Sequence, residues 1–258
     1  MDEITDLPHK IKSAAASLAR SQYAIAFTGA GISTPSGIPD FRSPGVGLWA
    51  HGEPPRAGTI QGFAADPEGF YEWFHPLLKR ILSAEPNPGH RALATLEAEG
   101  ILKALITQNA DLLHQRAGSR SVIEVHGTLA HLTCIRCYCI APGPPILKRF
   151  LRDREVPRCQ SCGGVMKPNV ILAGEQLVSG VMTEARRLAQ ECDVILVAGT
   201  SLPGGPASEL PEIAVEKGAR LIIINRTPTP LDQEAEVIIH GDVAEVLPAI
   251  VNELQRSA

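Results

Sequence analysis

The amino-acid sequence predicts an α/β protein with a largely parallel six-stranded sheet, helices on both faces of that sheet, and a small second domain. Three observations support this fold class. Short apolar segments alternate with helical patterns along most of the chain, two segments interrupt the alternation, and four cysteines form two Cys-x-x-Cys pairs. With 258 residues, of which 44% are hydrophobic, the chain can bury the core of one large domain and a smaller insert.

The first predicted element is an amphipathic helix, because Ile4, Leu7, Ile11 and Leu18 recur at helical spacing. Short apolar segments that are typical of buried strands follow it. They lie at 23–31, 101–107, 121–127, 193–200, 220–225 and 236–240. The helical patterns between them cover 88–99, 180–191 and 206–217. Apolar strands that alternate with helices predict a parallel sheet covered on both faces.

Two segments that lack this alternation divide the chain. Residues 44–87 are rich in proline, glycine and aromatic residues, and residues 131–169 contain the paired cysteines. We expect these two segments to form the small domain together. The large domain then comprises residues 1–43, 88–130 and 170–258.

The cysteine spacing predicts a structural zinc site. Cys134 and Cys137 form one pair, Cys159 and Cys162 form the other, and 21 residues separate the pairs. Two such pairs provide four thiolates for tetrahedral zinc. The alternatives are two unrelated pairs, or disulfides in an exported protein. Cys139 could compete as a ligand, although a packed or exposed thiol is the simpler interpretation.

Glycines and polar residues follow the predicted strands at the points where the strands end. Because the carboxyl ends of parallel strands meet at one edge of a sheet, these residues predict a ligand crevice there. They include Gly29, Gly31, Gln108, Asn109, His126, Gly199, Thr200, Ser201, Asn225 and Asp242.

The loop after the first strand contains only part of a dinucleotide-binding motif. Gly29 and Gly31 permit a close backbone approach to a phosphate, but Thr34 replaces the third glycine of Gly-x-Gly-x-x-Gly. The acidic residue expected about 20 positions later does not lie at a strand end. This pattern disfavours hydride transfer without excluding the binding of a dinucleotide.

Charge and hydropathy exclude two classes of partner. The formal net charge is −4, and the basic residues are dispersed, so we expect no specific nucleic-acid partner. No apolar segment approaches the roughly 20 residues of a membrane span, and the acidic start MDEITDLPHK lacks the order of a signal peptide. We therefore expect a cytoplasmic protein that does not associate with membranes.

Several motifs, in this order, resemble those of the sirtuin family of NAD-dependent protein deacylases, of the bacterial or archaeal type. The resemblance extends from about residue 10 to residue 254. The motifs are GAGIS (29–33), GIPDFR (37–42), TQNAD (107–111), HG (126–127), the two cysteine pairs, AGE (173–175), GTSL (199–202) and GDVAEVLP (241–248).

The resemblance implies a Rossmann-type NAD-binding domain and a small domain made of a helical module and a zinc ribbon. NAD and an acyl-lysine peptide or protein would enter the cleft between the domains from opposite sides. The implied reaction releases nicotinamide and O-acyl-ADP-ribose. Separately from the resemblance, we expect a monomer.

The resemblance also implies which residues bind NAD. They are Gly29, Ala30, Gly31, Ser33, Ile38, Asp40, Phe41, Arg42, Gln108, Asn109, Asp111, Gly199, Thr200, Ser201, Asn225 and Val243. Asp111 would accept a hydrogen bond from the nicotinamide carboxamide, and Asn109 would order a water or the ribose. His126 would remove a proton from a ribose hydroxyl, a role that suits histidine because its ordinary pKa lies near neutral pH.

The substrate side of the predicted site departs from the family pattern. Ala173 stands where the family usually has phenylalanine, and Ala110 stands where it usually has isoleucine. Sirtuins that remove acidic acyl groups have a Tyr-x-x-Arg pair, which aligns here with Phe74 and Leu77. We therefore expect neutral acyl groups, including chains longer than acetyl. The predicted substrate-binding residues are Phe74, Leu77, Ala173, Gly174, Glu175, Gly204 and Gly205.

Two other functions remain open at this point. A mono-ADP-ribosyltransferase or NAD glycohydrolase would use the same cofactor pocket without producing O-acyl-ADP-ribose. A non-enzymatic zinc-ribbon binding protein would not turn over NAD at all.

Overall fold

A computed structural model describes residues 3–40 and 55–257. The nine helices of this part are α1 (Glu3–Ala19), α2 (Ile60–Ala65), α3 (Pro67–Ser83), α4 (Pro88–Ala98), α5 (Leu113–Ala117), α6 (Gly143–Asp153), α7 (Ser179–Glu191), α8 (Leu210–Glu216) and α9 (Val243–Ser257). Its strands are β1 (Ala24–Thr28), β2 (Leu102–Thr107), β3 (Val122–Glu124), β4 (Gly127–Cys134), β5 (Ile140–Pro142), β6 (Met166–Val170), β7 (Val194–Ala198), β8 (Arg220–Ile224) and β9 (Val237–Ile239).

Six strands form one sheet in the order β3-β2-β1-β7-β8-β9, and every neighbouring pair is parallel. The strand order reverses between β1 and β7, so the loops after these two strands diverge and leave a crevice. All five residues of β1 and all five of β7 are buried, because helices cover both faces of the sheet. The predicted α/β fold with a Rossmann-type parallel sheet of six strands is confirmed.

Two apolar clusters, one on each face, stabilise the sheet. On one face α1, α4 and α9 pack together over the strands, and on the other α7 and α8 do so. The predicted apolar stripe of the first helix is correct at Leu18, which is 1% exposed, but Leu7 is 40% exposed. Leu7 lies near the start of α1, beyond the part of that helix that packs on the sheet.

A second, antiparallel sheet has the order β5-β4-β6. It shares a third apolar cluster with α2, α3 and α6. Aromatic rings dominate this cluster: Phe70 contacts Phe63 edge-on at a centroid distance of 5.0 Å, and Tyr71 contacts Phe150 at 4.9 Å. This cluster therefore supports the small sheet and the helices beside it.

Two predicted elements are shorter than expected. The strand predicted at 121–127 ends at Glu124, because the backbone turns at Gly127, whose φ is 78°. The helix predicted at 206–217 begins only at Leu210, after positive φ values at Gly204 and Gly205. Both shortened ends face the crevice. None of the described helices has the length and apolar character needed to cross a membrane.

Candidate active site

A cavity of about 1140 Å³ lies at the carboxyl edge of the parallel sheet. Most of the residues predicted to bind NAD or substrate line it. These are Ala30, Gly31, Ser33, Ile38, Asp40, Phe74, Leu77, Gln108, Asn109, Asp111, His126, Ala173, Gly174, Glu175, Gly199, Thr200, Ser201, Gly204, Gly205, Asn225 and Val243. Gly29 lies behind the wall rather than among the lining residues, whereas Phe41 and Arg42 lie outside the described residues.

The backbones of the loops after β1 and β7 touch. Gly31 N donates a hydrogen bond to Gly199 O at 2.8 Å. A Cβ on Gly199 would lie 2.2 Å from the backbone nitrogen of Ile32, and its φ of 65° also favours glycine. At this close approach, glycine backbone without side chains borders the crevice, and a phosphate group can come near such backbone.

A buried polar network links these loops to the loop after β2. Asn109 donates through Nδ2 to Gly29 O at 3.0 Å and to Ser33 Oγ at 3.1 Å. Ser33 Oγ in turn donates to Asp111 Oδ2 at 2.6 Å, and Asp111 Oδ1 accepts from Leu113 N at 2.9 Å. Because both Asn109 donor positions are occupied by protein acceptors, its Oδ1 is the atom that can accept from a ligand hydroxyl or a water.

Two buried histidines support this network, and sequence reasoning missed both. His90 Nδ1 accepts from Asn87 N at 3.3 Å, so its Nε2 bears the proton that faces Ser33 Oγ at 3.4 Å. Burial lowers the pKa of His90 to about 4, and it also lowers the pKa of His114, whose ring centre lies 4.8 Å away. Burial raises the pKa of Asp111, against the opposing effect of its hydrogen bond from Ser33.

His126 is oriented by a backbone carbonyl. Its Nδ1 lies 3.2 Å from Gln108 O. A carbonyl only accepts, so Nδ1 bears the proton and Nε2 is the basic nitrogen of the neutral ring. On the other side, Ile171 N donates to His126 O at 2.8 Å. The residue is therefore fixed by its own backbone and by its ring, as a general base requires.

Ala173 lies in a loop that is hydrogen-bonded to the turn before α2. Its N–H donates to Gly58 O at 3.2 Å, and its carbonyl accepts from Ile60 N at 3.0 Å. Glu175, which is predicted to contact substrate, pairs with Lys167 Nζ at 3.0 Å and accepts from the backbone N–H of Leu172 at 3.0 Å. The Glu175 carboxylate lines the cavity but stabilises this loop.

The end of the cavity beside α3 is apolar. The predicted residues Phe74 and Leu77 line it. Phe70, Trp73 and Ile81, which were not predicted from the sequence, line it as well. Lys79 is exposed and lies outside the lining. Helical periodicity marked α3 as partly buried, but it could not indicate which side chains border empty space.

Arg186 and Glu124 are further features that sequence reasoning missed. Arg186, on α7, lines the cavity. Glu124, two residues before His126, is largely buried; burial raises its pKa to about 7, although hydrogen bonds with Thr128 and Gln115 oppose the shift. Its Oε1 atom has no hydrogen-bond partner within the described part of the chain.

The four predicted zinc ligands lie together at the far end of the small sheet. The sulfur atoms of Cys134, Cys137, Cys159 and Cys162 all lie within 4.8 Å of one another. Cys134 Sγ is 3.5 Å from Cys162 Sγ, and Cys137 Sγ is 3.6 Å from Cys159 Sγ. A tetrahedral zinc with bonds of about 2.3 Å separates its sulfurs by about 3.8 Å, so this group fits the metal.

Comparison with known proteins identifies the family. A model of the Sir2 family matches residues 29–206. The NAD-dependent protein deacylase 2 of Archaeoglobus fulgidus is 47% identical over 248 residues, which are 96% of this chain and 97% of that protein. The chain belongs to the Sir2 family. The resemblance inferred from the sequence motifs is thereby confirmed.

Other Sir2 proteins agree with this assignment. The NAD-dependent protein deacetylase of Caldivirga maquilingensis is 45% identical over 244 residues, which cover 95% of this chain and 93% of that protein. A solved structure described as Sir2Af2 bound to a myristoylated histone peptide has a TM-score of 0.81 and 40% identity, and it covers 97% of this chain and 98% of its own. A Sir2 homologue in complex with NAD has a TM-score of 0.85 and 38% identity, covering 95% and 94%.

Proposed function

We infer that this chain is an NAD-dependent protein deacylase, which moves the acyl group of a lysine side chain onto ADP-ribose and releases nicotinamide. The observation that best supports this function is the hydrogen bond that orients the His126 ring at the cavity. Its Nδ1 proton is used on Gln108 O, and its basic Nε2 belongs to a residue that lines the large cavity. The relatives named as NAD-dependent deacylases and deacetylases, at 47% and 45% identity, support the same activity.

The cavity fits NAD by three features. Its wall contains the touching glycine backbones of the loops after β1 and β7, where a phosphate can approach. Gln108 contributes a buried Nε2 donor that has no partner within the described residues. Asn109 offers its Oδ1 to a ribose hydroxyl. When bound, NAD supplies the ribose carbon that loses nicotinamide and receives the acyl oxygen.

The chain's own residues then perform three tasks. Asp111 accepts from the nicotinamide carboxamide, and its position is fixed by Ser33 and by the N–H of Leu113. The apolar walls exclude water from the ribose carbon, which favours acyl transfer over hydrolysis. His126 Nε2 accepts the proton of a ribose hydroxyl, so that this hydroxyl oxygen can attack the acyl carbon.

The variant His126→Ala tests this assignment. We expect it to bind ADP-ribose as the native chain does, because the glycine backbones where the phosphates can approach lie on the loops after β1 and β7. Lysine deacylation should fall by roughly 10²–10⁴-fold, the contribution of a positioned base. Calorimetry measures the binding, and mass spectrometry of an acetyl-lysine peptide measures the reaction. Full deacylation by His126→Ala would remove this residue from the mechanism.

The same experiment separates the alternatives. A mono-ADP-ribosyltransferase or NAD glycohydrolase would release nicotinamide without O-acyl-ADP-ribose, and a non-enzymatic zinc-ribbon protein would leave NAD intact. The deacylases and deacetylases among the relatives favour the main assignment. Production of O-acyl-ADP-ribose that depends on the acyl peptide decides for it.

We further propose that the acyl group lies in the apolar end of the cavity and that neutral chains are preferred. Ala173 leaves room that a larger side chain would fill. Within this part of the described chain, the lining by Phe70, Trp73, Phe74, Leu77 and Ile81 contains no cation to pair with an acidic acyl group. A buried, unpaired carboxylate would cost several kcal/mol, whereas each buried methylene gains about 0.8 kcal/mol.

Acyl choice is measured as kcat/KM on one peptide that bears acetyl, butyryl, myristoyl or succinyl lysine. We expect butyryl and myristoyl to be used at least as well as acetyl, and succinyl poorly. In Ala173→Phe, the longer chains should lose more activity than acetyl does, because the ring narrows the channel. Ala64→Phe, the same substitution at an exposed position outside the cavity lining, is the matched control. A steep fall from acetyl to butyryl in the native chain would contradict the channel.

The other proposals concern organisation. We propose a large domain of residues 1–43, 88–130 and 170–258 and a small domain of residues 44–87 and 131–169; the separate apolar cluster beside the small sheet supports this division. We also propose a monomeric, cytoplasmic enzyme without nucleic-acid or membrane partners, since the net charge is −4 and the thiols group around a metal site. Light scattering after gel filtration tests the monomer, and cell fractionation tests the compartment.

A further inference from the structure

The two cysteine loops of the zinc site have the same backbone pattern. In residues 134–139 and in residues 159–164, the first cysteine sulfur accepts the N–H two residues further on, at 3.4 Å and 3.3 Å. The residue after the second cysteine has a positive φ in both loops, 60° at Tyr138 and 71° at Gly163. The loops are thus equivalent, and the positions that follow Tyr138 and Gly163 correspond.

Those corresponding positions are Cys139 and Gly164. A Cβ added to Gly164 would lie 2.9 Å from Cys134 Sγ, so this position faces the sulfur cluster. In the first loop the corresponding side chain is a thiol, and Cys139 Sγ lies 3.2 Å from Cys159 Sγ. Cys139 also forms a hydrogen bond with Cys137. It is therefore a fifth thiol in contact with one ligand from each pair.

We propose that Cys139 is a spare zinc ligand, which takes the coordination position of Cys159, or that of Cys137, when either is lost. The Cys139 sulfur lies 3.2 Å from Cys159 Sγ, which is less than the roughly 3.8 Å between two sulfurs bound to one tetrahedral zinc. A movement of about that distance therefore brings the Cys139 sulfur to the position of Cys159. Four thiolates would still surround the metal after the exchange. This inference rests on the proposed zinc site and adds a ligand that the Cys-x-x-Cys spacing omits.

Zinc content of purified single variants tests the exchange. We expect Cys159→Ser to retain zinc, because Cys139 replaces the lost thiolate. Cys137→Ser is the second variant; the native Cys137 is exposed, so its replacement leaves the buried core intact. The double variants with Cys139→Ser should lose zinc. The single variant Cys134→Ser, which removes a buried ligand, should also lose zinc, because the Cys139 thiol contacts Cys159 and Cys137. Cobalt substitution provides an independent readout, since the sulfur-to-cobalt absorption reports the number of thiolates.

The outcomes separate the two claims. Native protein without zinc would overturn the zinc site itself. Native protein with zinc, together with loss of zinc from both Cys159→Ser and Cys137→Ser, would overturn the role of Cys139 alone. Retention of zinc by the double variants would also overturn it. Cys139→Ser by itself should bind zinc as the native chain does.

Discussion

Gly199 shows how little space separates the two loops that border the crevice. The Cβ of an alanine at this position would clash with the backbone of Ile32, and backbone cannot move aside as a flexible side chain can. Its positive φ adds the ordinary penalty for a side chain in the left-handed region. Residue size at one position thus controls whether the loops after β1 and β7 can touch.

We expect Gly199→Ala to lower the free energy of unfolding by about 2 kcal/mol or more and to weaken ADP-ribose binding. Gly204→Ala is the matched control: its φ is 89°, but nothing lies within 4 Å of the added Cβ. It should lose only about 1–2 kcal/mol, the cost of the left-handed conformation. Thermal unfolding and calorimetry measure the two effects. Equal losses in both variants would show that the contact with Ile32 does not matter.

At the scale of elements, β3 is the edge strand that leads into His126. Val125 N still bonds to Thr107 O, but the strand ends there, and this frees His126 from the ladder to reach Gln108 O. Glu124 is the last residue of the strand, and its pKa of about 7 means that its carboxyl group is protonated in the folded protein below neutral pH. The end of β3 is therefore sensitive to pH.

The pH dependence of stability tests this property of Glu124. The folded pKa lies above the ordinary value of 4.5, so the folded state binds more protons than the unfolded state between pH 4.5 and pH 7. The contribution of Glu124 to the free energy of unfolding is therefore fully present below pH 4.5 and is lost as the pH rises to 7. Relative to Glu124→Gln, the native chain should lose up to about 1.4 kcal/mol per pH unit in that window, measured by urea unfolding.

The exposed Glu216 provides the control, since Glu216→Gln should follow the native curve across the same window. The histidines His90 and His114 also titrate abnormally, and both variants retain them, so their contribution cancels in the comparison. Parallel curves for native protein and Glu124→Gln would contradict the buried, protonated carboxyl group.

For the whole molecule, the two sheets depend on different forces. The parallel sheet is buried between two apolar clusters, whereas the small sheet has a single cluster on α2, α3 and α6 and ends at the four cysteines. A structural zinc site commonly contributes directly to the folding free energy of the small unit that holds it. The zinc site should therefore matter to the small sheet far more than to the large one.

Removal of zinc by a chelator should increase amide hydrogen exchange in β4, β5, β6 and α6, and leave β1 and β7 protected. Mass spectrometry of peptic fragments measures this difference, and readdition of zinc should restore the protection. Exchange that increases equally in both sheets would contradict the division, as would no change anywhere.

Much of this structure could be predicted from sequence, because strong local patterns dominate it. The β1 and β7 segments are continuous apolar runs that end in glycine, and Cys-x-x-Cys pairs specify a metal by spacing alone. The site motifs followed one another in an order that identified the family. Most of their residues indeed line one cavity.

What could not be predicted depends on contacts between distant parts of the chain. No sequence motif singled out His90 or His114, which only folding brings together behind Ser33. The ion pair between Glu175 and Lys167 likewise had no signal in the sequence. Cys139 acquires its meaning only from the position of Cys159, 20 residues away. Spacing along the chain does not contain such distances.

The small sheet links the zinc site at one end of its long strand to the base His126 at the other end. Its long strand runs from Gly127, next to His126, to Cys134, a length of about 24 Å, and β6 pairs with both ends. A tilt of roughly 3° at the metal end displaces the other end by roughly 1 Å, an error that can slow a reaction 10²-fold. The pairing of β4 with β6 shifts register between Thr128 and Leu132, part-way between the two ends. A zinc ion that does not contact the substrate can in this way control the orientation of the His126 ring.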